Sequence, residues 1–400
     1  MVKVNIDYRD CDREIWEDEF EDFVPSRILD AHIHFYWRSC IPGGDPAKMQ
    51  REDNDLESLN QWAEVLYPGR RMQYLILGTP ALGTDVAMHT EAVRSEIEGV
   101  PGIRHNRLVT PECKIEDIER DLKNPQFIGL KPYRIYSVTG DIAQCRIHEF
   151  LPHEQLEFAN EHNLWVTMHL SRWHGCADHR NLDDLEEYTT KRYPNVKWLL
   201  AHCARSFTYW PMREAVKRLS GMPNIYYDTS AVTDPRPYAY LLKNEDPKRI
   251  FWGSDGVTAA FFHGYYAALG RAWQHFDADK NKLQYPHCDG RPILAVYEQL
   301  LSLKFAAEMA EYSKDQIEGL FWRNAVTAFG MDENEGKALL DEIYALQRED
   351  RFVYAHKWRV GDFVMWDNRC LLHARTDFPR EQRRLLRRVT ISDEAEVLAA

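Results

Sequence analysis

Hydrophobic positions follow two alternating patterns along the first two-thirds of the chain. Apolar runs of strand length at 27–34, 72–78, 106–110, 127–131, 164–169, 196–202, 224–229 and 250–254 predict strands. Between them, apolar residues recur at helical spacing over 56–65, 115–122, 153–162, 182–193 and 211–219. Two more such stretches, 293–312 and 314–329, follow the last strand. The gaps are long enough for crossover helices, so the pattern predicts an α/β fold, a (β/α)8 TIM barrel. A doubly wound open sheet is the competing arrangement, but no Gly-x-Gly-x-x-Gly or phosphate loop supports it.

After Gly330 the pattern changes. An acidic break at 331–336 precedes a predicted helix over 337–348. Alternation through 352–369 then suggests two short strands about a Val360-Gly361-Asp362 turn. The expected organisation is an N-terminal extension (1–26), a barrel (27–330) and a short β-rich C-terminal appendage (331–400).

A barrel of this kind carries its chemistry at the C-terminal ends of its strands. Here those ends hold His32 and His34, Lys131, His169, His202, Asp228 and Asp255. Residues two apart on a strand share a side, so His32 and His34 aim two imidazoles into one space. Asp30, on that side too, is placed to orient a ligand histidine. In a chain with sixteen histidines a chance His-x-His pair carries little weight on its own. Its meaning comes from where the other candidate ligands fall.

His32, His34, His169 and Asp255 form a three-nitrogen, one-oxygen set suited to one divalent metal ion, zinc in preference to manganese. Water on such an ion ionises near neutral pH, and Asp255 is assigned both to the ion and to that water's proton. His202 is assigned to polarise the substrate carbonyl or protonate the leaving group, with a further ligand as the alternative. Lys131, Arg134, Arg172 and Arg205 lie on or just after strand ends, which suits a carboxylate-bearing substrate. Tyr133, Tyr136 and Trp173 share those loops and are candidates to stack on a ring. The long first loop, 36–55, with Pro42-Gly43-Gly44-Asp45-Pro46, reads as a lid.

Charge and cysteine usage narrow the setting. A net charge of −13 disfavours nucleic acid and anionic membranes as partners. The acidic run 14–21 reads as solvated surface, while 369–388 is strongly basic. No apolar run reaches the roughly eighteen residues of a membrane span. The first residues lack the apolar stretch of a signal peptide. Eight scattered cysteines without a Cys-x-x-Cys pair suit reduced thiols in a cytoplasm. The expected partner is a small anionic molecule, and a homo-oligomer is compatible with the fold class.

Several segments together resemble the amidohydrolase superfamily, in its amidohydrolase-related (amidohydrolase-2) branch. They are Asp30-Ala31-His32-Ile33-His34, Gly129-Leu130-Lys131-Pro132, Thr167-Met168-His169, Leu200-Ala201-His202 and Gly253-Ser254-Asp255. The closing stretch Ile317-Glu318-Gly319-Leu320-Phe321-Trp322-Arg323-Asn324-Ala325 joins them. The resemblance covers roughly residues 27–330. It implies a mononuclear metal site with the roles above, in an enzyme that hydrolyses amides, esters or lactones. Non-oxidative decarboxylation of aromatic or muconate-like acids is the alternative that it also implies. The His-x-His form at the first strand tilts the reading towards hydrolysis. Lys131 is read as an anion contact, with a carboxylated, metal-bridging lysine as the lesser alternative.

The tail is similar to something else. Trp366-Asp367-Asn368-Arg369, His373 and the later arginines resemble the C-terminal end of the taurine dioxygenase family, Fe(II)/2-oxoglutarate enzymes built on a jelly roll. The likeness runs from about 336 to 391. It implies His373 as the distal iron histidine, Arg384 as the oxoglutarate contact and Arg388 as another carboxylate contact. The family also needs an upstream His-x-Asp pair, which this tail lacks. His89-Thr90-Glu91, a formal match inside the barrel, lacks the family's surroundings. The appendage is therefore expected to be non-catalytic. An Fe(II)/2-oxoglutarate dioxygenase and a non-catalytic metal scaffold rank below hydrolysis and decarboxylation.

Overall fold

Each predicted strand forms, and the eight pair in chain order, in a computed structural model that describes residues 6–44, 53–281, 286–331 and 343–365. The strands are β1 (Arg27–Phe35), β2 (Arg71–Gly78), β3 (Ile103–Val109), β4 (Phe127–Pro132), β5 (Trp165–Met168), β6 (Lys197–Leu200), β7 (Ile225–Asp228) and β8 (Ile250–Phe251). Neighbours run parallel throughout. Residues of β1 to β6 are almost all out of water, as parallel strands covered on both faces require. The seam closes through backbone bonds just past β8: Trp252 O accepts from Ala31, His32 O from Asp255, and Gly256 O from His34, at 2.9, 2.7 and 3.0 Å. The barrel's closure and its candidate site therefore share residues. Gly253 permits this approach, because a Cβ there would lie 2.8 Å from His32 Cβ.

The crossover helices bury one stripe each. In Leu56–Leu66, Asp55 caps the start by accepting from Ser58 N, and Leu59, Trp62, Ala63 and Leu66 turn inward. Two helices are not legible in the sequence. Val86–Ile97 buries His89 and Thr90 in its inner stripe, which blurs its period. Pro235–Asn244 opens with two prolines, which suggest a loop, although proline fits the first helical turn. The predicted helix over 314–329 is divided by a wider turn, Gly319–Arg323.

The end of the barrel where the strands begin is plugged. Leu29, Ala31, Leu75, Leu77, Trp165, Leu199 and Phe251 pack with Trp322, Ala325, Val326, Phe329 and Met331 of the closing segment. Arg104, near the start of β3, donates to Gly330 O, and Trp322 Nε1 donates to Gln73. The acidic run at 14–21 is solvated in its carboxylates but not in its rings: Trp16 and Phe20 are buried against Tyr297.

A hairpin of β9 (Gly264–Leu269) and β10 (Ala272–Asp277) is inserted after β8. The hydrophobic pattern does not predict it, although Gly270, at φ +64°, marks its turn. Among the described residues no helix is long and apolar enough to cross a membrane.

Residues from Ile343 onward form a separate unit. Its described part, 343–365, contains a short helix at 343–347 and a turn at Val360-Gly361. The turn is where the sequence places it, with Gly361 at φ +97°. The two flanking strands do not form among the described residues. Val360 and Phe363 are exposed, and alternation needs a partner strand before it becomes a ladder. His373, Arg384 and Arg388, like Trp366-Asp367-Asn368-Arg369, lie outside the described residues.

Candidate metal centre

The candidate side chains stand just beyond the regular strand ends. Predicted strands extending to His169, His202 and Ser254 stop at Met168, Leu200 and Phe251. The reason is backbone conformation: His202, Cys203, Ala204 and Arg205 form a left-handed turn with φ between 49° and 61°, and Asp255 has φ 65°. Left-handed backbone costs an L-residue about 1–2 kcal/mol, so packing and hydrogen bonds must hold it. His202 N donates to Asp228 Oδ1 at 2.9 Å, and Ser206 N to His202 O at 2.9 Å.

Ligand atoms of His32, His202 and Asp255 lie within 4.8 Å of one another. His34 Nε2 is 3.0 Å from Asp255 Oδ1, and His32 Nε2 is 3.3 Å from the same oxygen. The rings of His32 and His34 are 5.1 Å apart, as the shared strand face requires, and His169 stands 5.1 Å from His202. All five predicted metal or catalytic residues therefore meet. His202 lies inside the tightest group rather than beside it.

The outer contacts of these rings decide their protons. His32 Nδ1 faces Asp228 Oδ2 at 2.8 Å, His34 Nδ1 faces Gly78 O at 3.3 Å, and His169 Nδ1 faces Leu170 O at 3.1 Å. His202 Nδ1 faces Ser230 O at 3.1 Å. Carboxylates and carbonyls accept, so each Nδ1 carries the hydrogen and each Nε2 keeps its lone pair. Two of those lone pairs, on His32 and His34, then lie within 3.3 Å of a carboxylate oxygen. Acceptors set against acceptors in a largely buried site favour a cation between them. A histidine and aspartate donor set fits a divalent metal ion on that ground.

Charge states agree. Burial lowers the pKa of His32, takes His202 down to about 4 and His169 well below its ordinary value. Burial alone would raise Asp255; only positive charge on His32, His202 and His34 holds it well below the usual carboxylate range, so with those rings neutral a cation has to supply that charge. Asp30 differs from its expected role. Its Oδ1 accepts from the backbone of His32 and Ser254 at 3.1 and 2.9 Å, and burial pushes its pKa up to about 7. It pins β1 to the β8 end, and the orienting carboxylate is Asp228 instead.

Above this group opens a cavity of about 750 Å³. Lys131, Arg134 and Arg205 line it, and none of them has a carboxylate partner among the described residues. The Lys131 ammonium is fully buried, lies 4.7 Å over the Tyr133 ring and has no hydrogen-bond partner; burial lowers its pKa to about 8. Burial likewise lowers Arg205 to about 10, with Arg134 adding repulsion. Arg172 departs from its predicted place. It does not line the cavity, because Asp178 takes its Nε at 2.6 Å and Gln144 O takes its Nη1.

Of the aromatic candidates, Tyr133 lines the cavity, Tyr136 ties its hydroxyl to Ala81 O, and Trp173 is 76% exposed. Further aromatic lining comes from residues not singled out in the sequence: Phe207, with Tyr266 and Trp273 of the β9–β10 hairpin. Phe207 and Trp273 stack at 4.3 Å. Tyr36, Ile41, Gly43 and Gly44 of the first loop also line the cavity, while residues 45–52 of that loop lie outside the described set.

Solved structures share this architecture. The chain is similar to 4-oxalomesaconate hydratase LigJ from Rhodopseudomonas palustris (TM-score 0.50, 15% identity, 78% of this chain and 99% of that one). It is similar also to dihydroxybenzoic acid decarboxylase from Polaromonas sp. JS666, solved with bound manganese (TM-score 0.50, 12%, 77% and 98%). Amidohydrolase 2 from Bifidobacterium longum subsp. infantis matches at TM-score 0.47 and 13% identity, over 76% and 99%. What these structures share with the chain is the fold, an eight-stranded parallel (β/α)8 barrel. The barrel that the strand-end motifs imply is thus the fold these structures share.

The C-terminal part has different relatives. A family model for the taurine catabolism dioxygenase TauD, TfdA family matches residues 229–390. Alpha-ketoglutarate-dependent 2,4-dichlorophenoxyacetate dioxygenase of Cupriavidus pinatubonensis is 51% identical over 70 residues, 17% of this chain and 24% of that protein. Pentalenolactone F synthase of Streptomyces avermitilis is 42% identical over 65 residues, 16% and 21%. The chain spans about a quarter of the length of the curated relatives it matches.

The family match begins earlier than the likeness carried by the tail motifs, and it takes in β8 and the hairpin. Two literal His-x-Asp triplets, missed by sequence reasoning, fall inside that range: His275-Phe276-Asp277 and His287-Cys288-Asp289. Both carboxylates are engaged locally: Asp277 by Lys280 at 2.6 Å and Asp289 by Arg291 at 2.6 Å.

Proposed function

We propose that this protein is a metal-dependent hydrolase of a small carboxylated ester, lactone or amide. One juxtaposition carries the reading: an electron-rich His32, His34, His202, Asp255 group lines one cavity with three cations that have no carboxylate partner among the described residues. His32, His34, His169, His202 and Asp255 would hold the ion, with zinc as the reading and manganese as the alternative. When bound, a divalent cation supplies Lewis acidity to water and to a carbonyl oxygen. Asp255, ionised throughout the neutral range, accepts the proton of the attacking water and returns it to the leaving oxygen or nitrogen. His202, neutral, with Nδ1 facing Ser230 O and 4.0 Å from Asp255 Oδ2, is better suited to the cation's surroundings than to donating to the substrate.

Lys131 donates to the negative charge that develops on the carbonyl oxygen, where its lack of another partner favours it. Arg134 and Arg205 hold a substrate carboxylate, and the Phe207, Tyr266 and Trp273 wall accepts a planar ring against them. Decarboxylation on the same site is the second reading. The solved decarboxylase that shares the fold, with its manganese, supports keeping it. The appendage is read as non-catalytic, and the enzyme as acting on a small anionic molecule, without nucleic acid or membrane, in a cytoplasm.

The test is metal content by mass spectrometry on purified protein and on His32→Ala, followed by incubation of the loaded protein with lactones and aromatic acids. About one zinc or manganese per chain, lost in the variant, with acid released and no carbon dioxide, is the expected result. Carbon dioxide release would transfer the assignment to decarboxylation. Iron retained by His32→Ala and lost in His373→Ala would overturn both.

A further inference from the structure

The geometry points to Asp228 and Ser230 as positioning residues that set which nitrogen of His32 and His202 carries the proton. This rests on the reading of the strand-end group as a metal site. Asp228 ends β7 and is fully buried. Its Oδ1 accepts three times: from the backbone N–H of His202 at 2.9 Å, from that of Ser230 at 3.1 Å and from the Ser230 hydroxyl. That leaves Oδ2, which lies 2.8 Å from His32 Nδ1. A carboxylate so placed can only accept, so His32 holds its hydrogen on Nδ1 and presents the Nε2 lone pair towards Asp255.

Ser230 does the same for His202. Its carbonyl oxygen lies 3.1 Å from His202 Nδ1 and its Oγ 2.9 Å from the same nitrogen. The hydroxyl hydrogen is committed to Asp228, so Oγ also accepts. Oγ stands 3.1 Å from His32 Nδ1 as well, so one short turn, 228–230, faces the Nδ1 atoms of both rings, that of His202 being also 4.0 Å from Asp255 Oδ2. Neither residue lines the cavity. Each acts through a histidine rather than on substrate.

Asp228→Asn separates this role from packing, because it keeps shape and hydrogen-bond count. The asparagine oxygen must still accept from the His202 and Ser230 backbones, which turns its NH2 towards His32 Nδ1. The proton of His32 then has to move to Nε2, where it faces Asp255 and blocks ligation. Two measurements on intact protein read this out. Nitrogen-15 NMR of histidine-labelled, metal-free protein should show Nδ1–H at His32 in the wild type and Nε2–H in Asp228→Asn. Zinc affinity, measured by competition with a chromophoric chelator, should fall about 10–100-fold in that variant. In Ser230→Ala, which keeps the carbonyl, it should fall less than tenfold.

An unchanged His32 tautomer in Asp228→Asn, or zinc affinity within about twofold of wild type, overturns the inference. Should the wild type bind no zinc while the tautomer still switches, the metal-site reading fails and the proton assignment stands. Should Asp228→Asn not fold, the metal-free wild type decides: a hydrogen on Nε2 rather than Nδ1 of His32 overturns the assignment.

Discussion

The two ends of the barrel are built from the same eight strands and have opposite contents. At the end where the strands begin, Trp165, Phe251 and Phe329 meet at 4.9 to 6.2 Å between ring centres, and the closing segment shuts the interior. At the other end, within a few residues along the same strands, stand the histidines, Asp255, Lys131 and Arg205. There the backbone is left-handed and an ammonium is buried without a partner. One end is apolar, regular and filled. The other is polar, strained and open. The plug supplies stability that the strained end consumes, which is how a barrel can hold unfavourable geometry where chemistry is needed.

Substitutions at the two ends should therefore fail in different ways. The largest effect is expected at the open end: Asp255→Asn should cut turnover at least about a thousandfold, or about 4 kcal/mol, with little change in thermal stability of the metal-free protein. Turnover within tenfold of wild type would mean that Asp255 neither binds the ion nor moves the proton. Phe329→Ala at the plugged end should cost about 3 kcal/mol of unfolding free energy while zinc stoichiometry stays near one. Loss of zinc at 25 °C in a still-folded Phe329→Ala would show that the two ends are not separable.

A smaller effect tests the cationic wall. Arg134→Gln should raise KM about tenfold, with kcat changed less than threefold, if that guanidinium holds a carboxylate in ground and transition states alike. An equal fall in kcat would place it at the reacting centre instead.

The interior also contributes to pH dependence, through His105 on β3. Burial lowers its pKa to about 3, and its Nδ1–H donates to Ile76 O at 2.8 Å. In the unfolded chain it takes up a proton near pH 6.5. Between those values the unfolded state binds more protons, so this contribution is whole above 6.5. It falls as the pH drops, by about 1.4 kcal/mol per unit. Urea titrations from pH 7 to 4 should show a shallower slope for His105→Gln, and an unchanged slope would remove His105 as the cause. Smallest of all, deleting 343–400 should leave zinc stoichiometry unchanged and the melting temperature within about 2 °C.

Much of the barrel and its candidate site is legible in the order of residues, because the governing signals are local. Strand runs, the His-x-His pair and the order of strand ends all follow from spacing along the chain. The misses have physical causes. Pro235–Asn244 hides behind prolines that a first helical turn accepts, and Val86–Ile97 behind a buried histidine and threonine. Arg172 sits at a strand end like Arg205, yet Asp178, six residues on, takes its guanidinium, and no spacing rule ranks that ion pair above a substrate. Asp30 looks like the orienting carboxylate because it is near His32 in sequence. Asp228 holds that place because β7 brings it within 2.8 Å. The tail's alternation marks its turn but not its strands, since a ladder is made by two segments and alternation describes one.

What the sequence alone determined is the barrel, the order of its strands and the residues gathered at their ends, since periodicity and strand polarity are properties of single segments. Tertiary structure decided the rest: which nitrogen of each histidine is free, which cations stay unpaired, and that an unpredicted hairpin supplies the aromatic wall. Those depend on contacts between residues tens to hundreds of positions apart, as His32 and Asp228 are, and on the removal of water around them. Neither distance nor dryness is written in the local order of residues.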